Sequence, residues 1–103
     1  MSNDKGRTTD SGAKVLKVLL ALRGHSLTGL SNGQLAKALN ESPSTINRCL
    51  NTLIEAGLAT KLDSGLFAHG VMMLQIAAAH ANEMSRAQMH IDQLNQRVQA
   101  GAH

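Results

Sequence analysis

Apolar residues recur along this chain first at helical spacing, then briefly at strand spacing, then at helical spacing over a long run, with turn-forming residues at each change. The first periodic stretch predicts a helix from Asp10 or Ser11, either of which can cap it, to about Arg23, with Val15, Leu16, Leu19, Leu20 and Leu22 as a broad apolar face. Gly24 to Leu30, with two glycines, reads as a loop. A second helix is short and sharply bounded. Ser31 followed by Gln34 is a capping box, Leu30 and Leu35 can form a hydrophobic staple, and Asn40 tolerates the left-handed conformation that ends a helix. Leu35, Ala36 and Leu39 make its inner stripe. After the brief turn Asn40-Glu41, Ser42 caps a third helix, Pro43 suits its first position and Gly57 stops it. At 100° per residue Ile46, Cys49, Leu50, Leu53 and Ile54 share one face, and Ser44, Asn47, Arg48, Asn51 and Glu55 spread over the other.

Beyond Gly57 the period shortens. Leu58–Leu62 and Leu66–His69 read as two strands joined through Asp63-Ser64-Gly65, a tight turn with glycine where positive φ is wanted. A short helix, a brief turn, a longer capped helix and then a hairpin form a helix-turn-helix with a wing. From Val71 to about Ala100 no proline interrupts the chain, which predicts one helix roughly 45 Å long. Met73, Ala77, His80, Met84, Ala87, Ile91, Leu94 and Val98 are spaced alternately by four and three, a heptad seam. So small a chain has no body to cover the distal half of such a helix, so pairing with a second copy through residues 73–98 is expected, with His80 as a structural polar group within it.

Composition narrows the chemistry. The 103 residues make room for one domain, and Phe67 is the only aromatic, so base stacking on single-stranded nucleic acid has almost nothing to use. The net charge of +3 is unevenly placed: residues 1–62 hold eight Lys/Arg against four Asp/Glu, and residues 63–103 hold two against three. The basic front part fits an anionic partner. Residues 1–10 are polar and read as a flexible arm whose Lys5 and Arg7 could touch phosphate. The single cysteine excludes an intramolecular disulfide, and its place on the apolar face makes core packing the expected role for Cys49, ahead of redox sensing. No two of His25, His69, His80, His90 and His103 stand at the spacing of metal ligands on one helix face, and no cofactor is expected. Paired carboxylates, a Ser/His/Asp set and a phosphate-binding glycine loop are all missing from the helix faces, which argues against an enzyme. No signal peptide or membrane-length apolar run is present, so a cytoplasmic location and no membrane association are expected.

Residues 11 to about 77 resemble the N-terminal DNA-binding domain of the IclR family of bacterial transcription regulators. The resemblance is carried by Ser44-Thr45-Ile46-Asn47-Arg48-Cys49-Leu50, where the family typically shows Ser-Thr-apolar-x-Arg-apolar-Leu, by Thr52-Leu53 and Gly57-Leu58, and by the wing close from Gly65 through Phe67 to Gly70. Three departures accompany it. Pro43 stands where the family often has a basic residue, and Ala68-His69 replaces a more usual polar-Leu pair. The chain also stops after the long helix, whereas family members continue into a larger effector-binding domain. The resemblance therefore implies double-stranded DNA binding and dimerisation without a small-molecule effector domain.

The expected fold is mainly α: a winged helix-turn-helix of three helices plus a two-stranded wing over residues 11–70, followed by a long C-terminal dimerisation helix over 71–100, coiled-coil-like. The expected function is sequence-specific double-stranded DNA binding as a homodimer, in a small, repressor-like transcriptional regulator. Arg48, Asn47 and Asn51 carry the hydrogen-bonding groups suited to base edges. Ser44, Thr45, Lys61 and the N–H groups near Ser31 suit phosphates. Two other roles use the same features: a winged-helix protein-interaction or assembly module, and a non-regulatory DNA-organising protein of a mobile element.

Overall fold

A computed structural model describes residues 6–102, so Lys5 lies outside the described residues. The element order is α1 (Asp10–Ala21), α2 (Asn32–Leu39), α3 (Pro43–Glu55), β1 (Ala59–Lys61), β2 (Phe67–His69) and α4 (Val71–Gly101). The chain divides into two compact units, one up to Met73 and one from Leu74 onward.

In the first unit α3 is the central element, packing against α1, α2 and β1. Its Ile46, Cys49, Leu50 and Leu53 are buried, as its periodicity requires, and they meet Val18 and Leu22 from the first helix and its end, Leu35 and Ala36 from α2, and Ala59 from β1. Ile54, expected on the same face, is 38% exposed. It lies at the edge of the stripe, where the last turn of α3 runs out of core to cover it.

α1 differs from expectation in its cap and in its face. Thr9 is the N-cap residue, without a side-chain capping bond, and Asp10 is already inside the helix, in the first turn where its charge complements the helix dipole. The inward stripe is Val15, Val18, Leu19 and Leu22, while Leu16 and Leu20 are 57% and 61% exposed. Apolar residues surround this helix, so periodicity alone admits two overlapping stripes. Packing on α3 selects the one that contains Val18.

Both capped helices have the termini their residues dictate. In α2 the Gln34 N–H donates to Ser31 Oγ at 3.0 Å and the Ser31 N–H donates to Gln34 Oε1 at 2.8 Å, completing the capping box. Asn40 ends the helix at φ 54°. In α3 the Thr45 N–H donates to Ser42 Oγ at 3.2 Å, Pro43 occupies the first turn, and Gly57 takes φ 78° beyond the C-cap.

The wing is an antiparallel pair with Ala59 opposite His69, Thr60 opposite Ala68 and Lys61 opposite Phe67. Its strands are shorter than the apolar runs, because Leu62 and Leu66 belong to the reversal: the Leu62 N–H donates to the Leu66 carbonyl and the Gly65 N–H to the Leu62 carbonyl. Leu30, expected to be plain loop, exchanges two backbone hydrogen bonds of 2.8 Å with Phe67 and so gives the wing a one-residue third strand. Gly29 makes this approach possible. It sits at φ 75°, and a Cβ there would stand 3.0 Å from the Phe67 carbonyl oxygen and 2.9 Å from Leu66 Cβ. Ala68 is fully buried, and the His69 ring Nε2 lies 2.8 Å from the carbonyl oxygen of Leu19, which also accepts the Leu22 N–H at 3.3 Å at the end of α1. The Ala68-His69 pair thus fastens the wing's exit to α1.

In the second unit α4 is unbroken, and every described residue from Leu74 onward is exposed within the single chain. Its heptad positions from Ala77 to Val98 are therefore uncovered among the described residues, whereas Met73, in the first unit, is half-buried. No helix among the described residues is long and apolar enough to cross a membrane.

Candidate nucleic-acid interface

The candidate surface is built from three starting points: the beginning of α2, the outward face of α3, and the wing. Asn32, the first residue of α2, donates from Nδ2 to the Pro43 carbonyl at 3.0 Å and so ties the start of α2 to the start of α3. Lys61 stands opposite Phe67 across the wing, and Phe67 in turn is bonded to Leu30, the residue before Ser31. Strand pairing between Lys61 and Phe67, the Phe67–Leu30 bridge and the Asn32–Pro43 bond therefore link Lys61, Ser31 and the first turn of α3. A second brace is the Lys14–Glu41 ion pair at 3.5 Å, which holds α1 to the turn between α2 and α3.

On α3, Ser44, Asn47, Arg48 and Asn51 are all exposed and lie opposite the buried stripe. Ser44 and Asn51 are separated by about 10 Å along the axis, a reach of roughly three base pairs. The Arg48 guanidinium makes no ion pair among the described residues. Thr45 is half-buried, and its hydroxyl accepts from Ser42 Oγ at 2.9 Å, while Ser44 Oγ lies 3.2 Å from the same Ser42 oxygen. These hydroxyls form one cluster around the helix start. Thr52 does not join the outward set, because its Oγ1 donates to the Arg48 carbonyl at 2.9 Å.

At the start of α2 the capping box occupies the Ser31 hydroxyl and the N–H groups of Ser31 and Gln34. The N–H groups that the first turn can offer an anion are consequently those of Asn32 and Gly33. On the wing, the exposed Lys61 ammonium sits 5.8 Å from the centroid of the Phe67 ring, a cation–π contact that keeps its charge beside the hairpin.

Between α1 and α3 runs an open groove of about 430 Å³, lined by Asp10, Ser11, Lys14 and Val15 on one side and Thr45, Arg48, Cys49 and Thr52 on the other. Cys49 forms part of its floor, but the thiol is a poor nucleophile. Burial, and after it the nearby Glu41 carboxylate, push its pKa up, against the opposite pull of Arg48 and Lys14. It packs as a small apolar group.

Two positioning residues escaped the sequence reading. Asn32 reads only as a residue after a cap, and nothing local announces its bond to Pro43 eleven residues on. His69 was legible as a departure from a pattern, but its partner Leu19 is fifty residues away.

Residues 11–63 match the family model of the IclR helix-turn-helix domain. Among solved structures, the crystal structure of an IclR family transcriptional regulator from Brucella abortus aligns with a TM-score of 0.61 at 21% identity, over 75% of this chain and 30% of that one. This likeness is one of fold, and the chain spans less than a third of that regulator's length. ZitR of Lactococcus lactis aligns with a TM-score of 0.46 at 16% identity, over 94% of this chain and 66% of that one. No curated protein matches the chain.

Proposed function

Because the chain belongs to the IclR helix-turn-helix domain family, a family of DNA-binding transcription-regulator domains, we propose that it binds double-stranded DNA sequence-specifically as a homodimer and acts as a repressor-like transcriptional regulator. The observation that carries this reading is the outward face of α3, where Ser44, Asn47, Arg48 and Asn51 are exposed on a helix capped at its start and backed by a closed core. In this reading α3 enters the major groove. Arg48 grips a guanine edge, and Asn47 and Asn51 pair with adenine. Ser44, Thr45, Lys61 and the N–H groups following Ser31 hold phosphates and set the register of the protein on the duplex. Pairing of two chains through residues 73–98 of α4 gives a two-fold symmetric site, with half-sites contacted by identical α3 helices.

A second reading is supported by the exposed apolar residues of α4, among them Met84, Ile91 and Leu94, which could equally dock a different protein. The two are separated by titrating the protein with random-sequence duplex at several salt concentrations. A phosphate binder loses affinity linearly in log–log form, with a slope of about −0.9 for each phosphate neutralised. Contacts from Lys61, Arg48 and the helix start in each of two chains predict a steep slope. A flat one would favour the docking role.

A further inference from the structure

We propose that the α4 seam pairs with the same seam of a second copy running antiparallel, about a two-fold axis between Ser85 and Arg86. This rests on the homodimer reading above and fixes its geometry. Within one chain the seam is uncovered: Met84, Ile91, Leu94 and Val98 are all exposed. The helix that carries them runs unbroken to Gly101, and every described residue of it from Leu74 onward is exposed, so a partner helix can lie along that stretch.

The two possible orientations bring different residues together. In a parallel pair each seam residue meets its own copy. Ala77 then faces Ala77, Ala87 faces Ala87 and His80 faces His80, leaving two thin layers and one layer of paired imidazoles on either side of the bulky Met84. In the antiparallel pair with full overlap, Ala77 faces the partner's Leu94, Ala87 faces the partner's Met84, His80 faces the partner's Ile91 and Met73 faces the partner's Val98. Each small side chain then lies across from a large one, which is how a close-packed interface fills its volume without voids. Sliding by a heptad in either direction leaves seam residues uncovered at both ends.

The flanking positions agree. Antiparallel pairing sets Glu83 beside the partner's His90, twice by symmetry, an acceptor against a donor. Parallel pairing sets Glu83 beside the partner's Gln88 and His90 beside the partner's Asn95, with no carboxylate–imidazole contact. Gln88 is in any case already engaged, donating from Nε2 to Asp92 Oδ1 of its own helix at 2.9 Å. One feature pulls the other way: Ile91 and Val98 at one seam position with Leu94 at the other is a combination that favours parallel dimers. It is confined to the last three layers, whereas the alanine and histidine layers that parallel pairing handles badly lie within the first five.

The test is a distance between nitroxide labels on Gln99→Cys in the full chain, read by pulsed dipolar spectroscopy, with molar mass measured by light scattering on the same sample. Gln99 is exposed, and Cys49 is buried, so label on the unsubstituted protein gives the background. The antiparallel dimer puts the two labels about 40 Å apart, from a rise of 1.5 Å over the residues between Gln99 and its symmetry-related level. The expected result is a dimer mass with that distance. A dimer with labels within about 25 Å, two helix widths, overturns the orientation and leaves the dimer standing. Any other distance overturns the register. A monomer mass overturns the homodimer reading itself.

Discussion

Arg48 is the sole cationic side chain on α3, which Pro43 opens. Exposed, it has no ion-pair partner among the described residues, which leaves the guanidinium available to an outside group. Replacing it with alanine should cost about 1 to 3 kcal/mol of discrimination between the preferred site and a site altered at one base pair, measured by gel-shift titration of both duplexes. Equal weakening on both would make Arg48 a phosphate contact. Cys49, a few atoms away at the floor of the α1–α3 groove, should behave in the opposite manner. With its thiol buried and its pKa raised, the folded protein should react with a maleimide far more slowly at neutral pH than the unfolded chain does, as followed by mass spectrometry. Because the folded thiol holds its proton more tightly than the unfolded one, any stability it contributes is fully present below the ordinary thiol value of 9.0 and is lost only as pH rises beyond it, through the raised value of the folded state. Single residues were legible in the sequence where one stripe dominated, as on α3. They were not on α1, where Leu16 and Leu20 fit the period as well as Val18 does and only contact with α3 separates them.

At the scale of elements, the helix termini explain most of what could be foreseen. Ser31 with Gln34, Ser42 with Pro43, Asn40 and Gly57 act within a few residues of themselves, so their roles are written in local order. Ser31→Ala breaks the box that orders the start of α2 and should lower stability by about 1 kcal/mol, within a range of 0.5 to 2, seen as a lower midpoint in urea with an unchanged slope. A larger loss would mean that Ser31 holds the Leu30–Phe67 strand as well. That bridge, the Asn32–Pro43 bond and the His69–Leu19 bond were not legible, because each joins residues distant in sequence and none changes a local period. They are also the contacts that tie α2 to α3 and the wing to α1 and to the residue before Ser31. The candidate surface was therefore readable as a set of residues but not as an arrangement.

For the whole molecule, charge and pattern point the same way. The front of the chain carries the excess of Lys and Arg and the capped, outward-facing helix, and the long helix carries an apolar seam that is exposed from Ala77 onward among the described residues. A DNA-binding homodimer uses both, and every component of that account predicts a site with two-fold symmetry. Selection of bound sequences from a random duplex pool by the full chain is the most direct test. The account predicts enrichment of an inverted repeat, each half-site containing a guanine or adenine readable by Arg48, Asn47 and Asn51. Enrichment of a non-repeated half-site would contradict the dimer on DNA, and a pool indistinguishable from the starting one would contradict sequence-specific binding altogether.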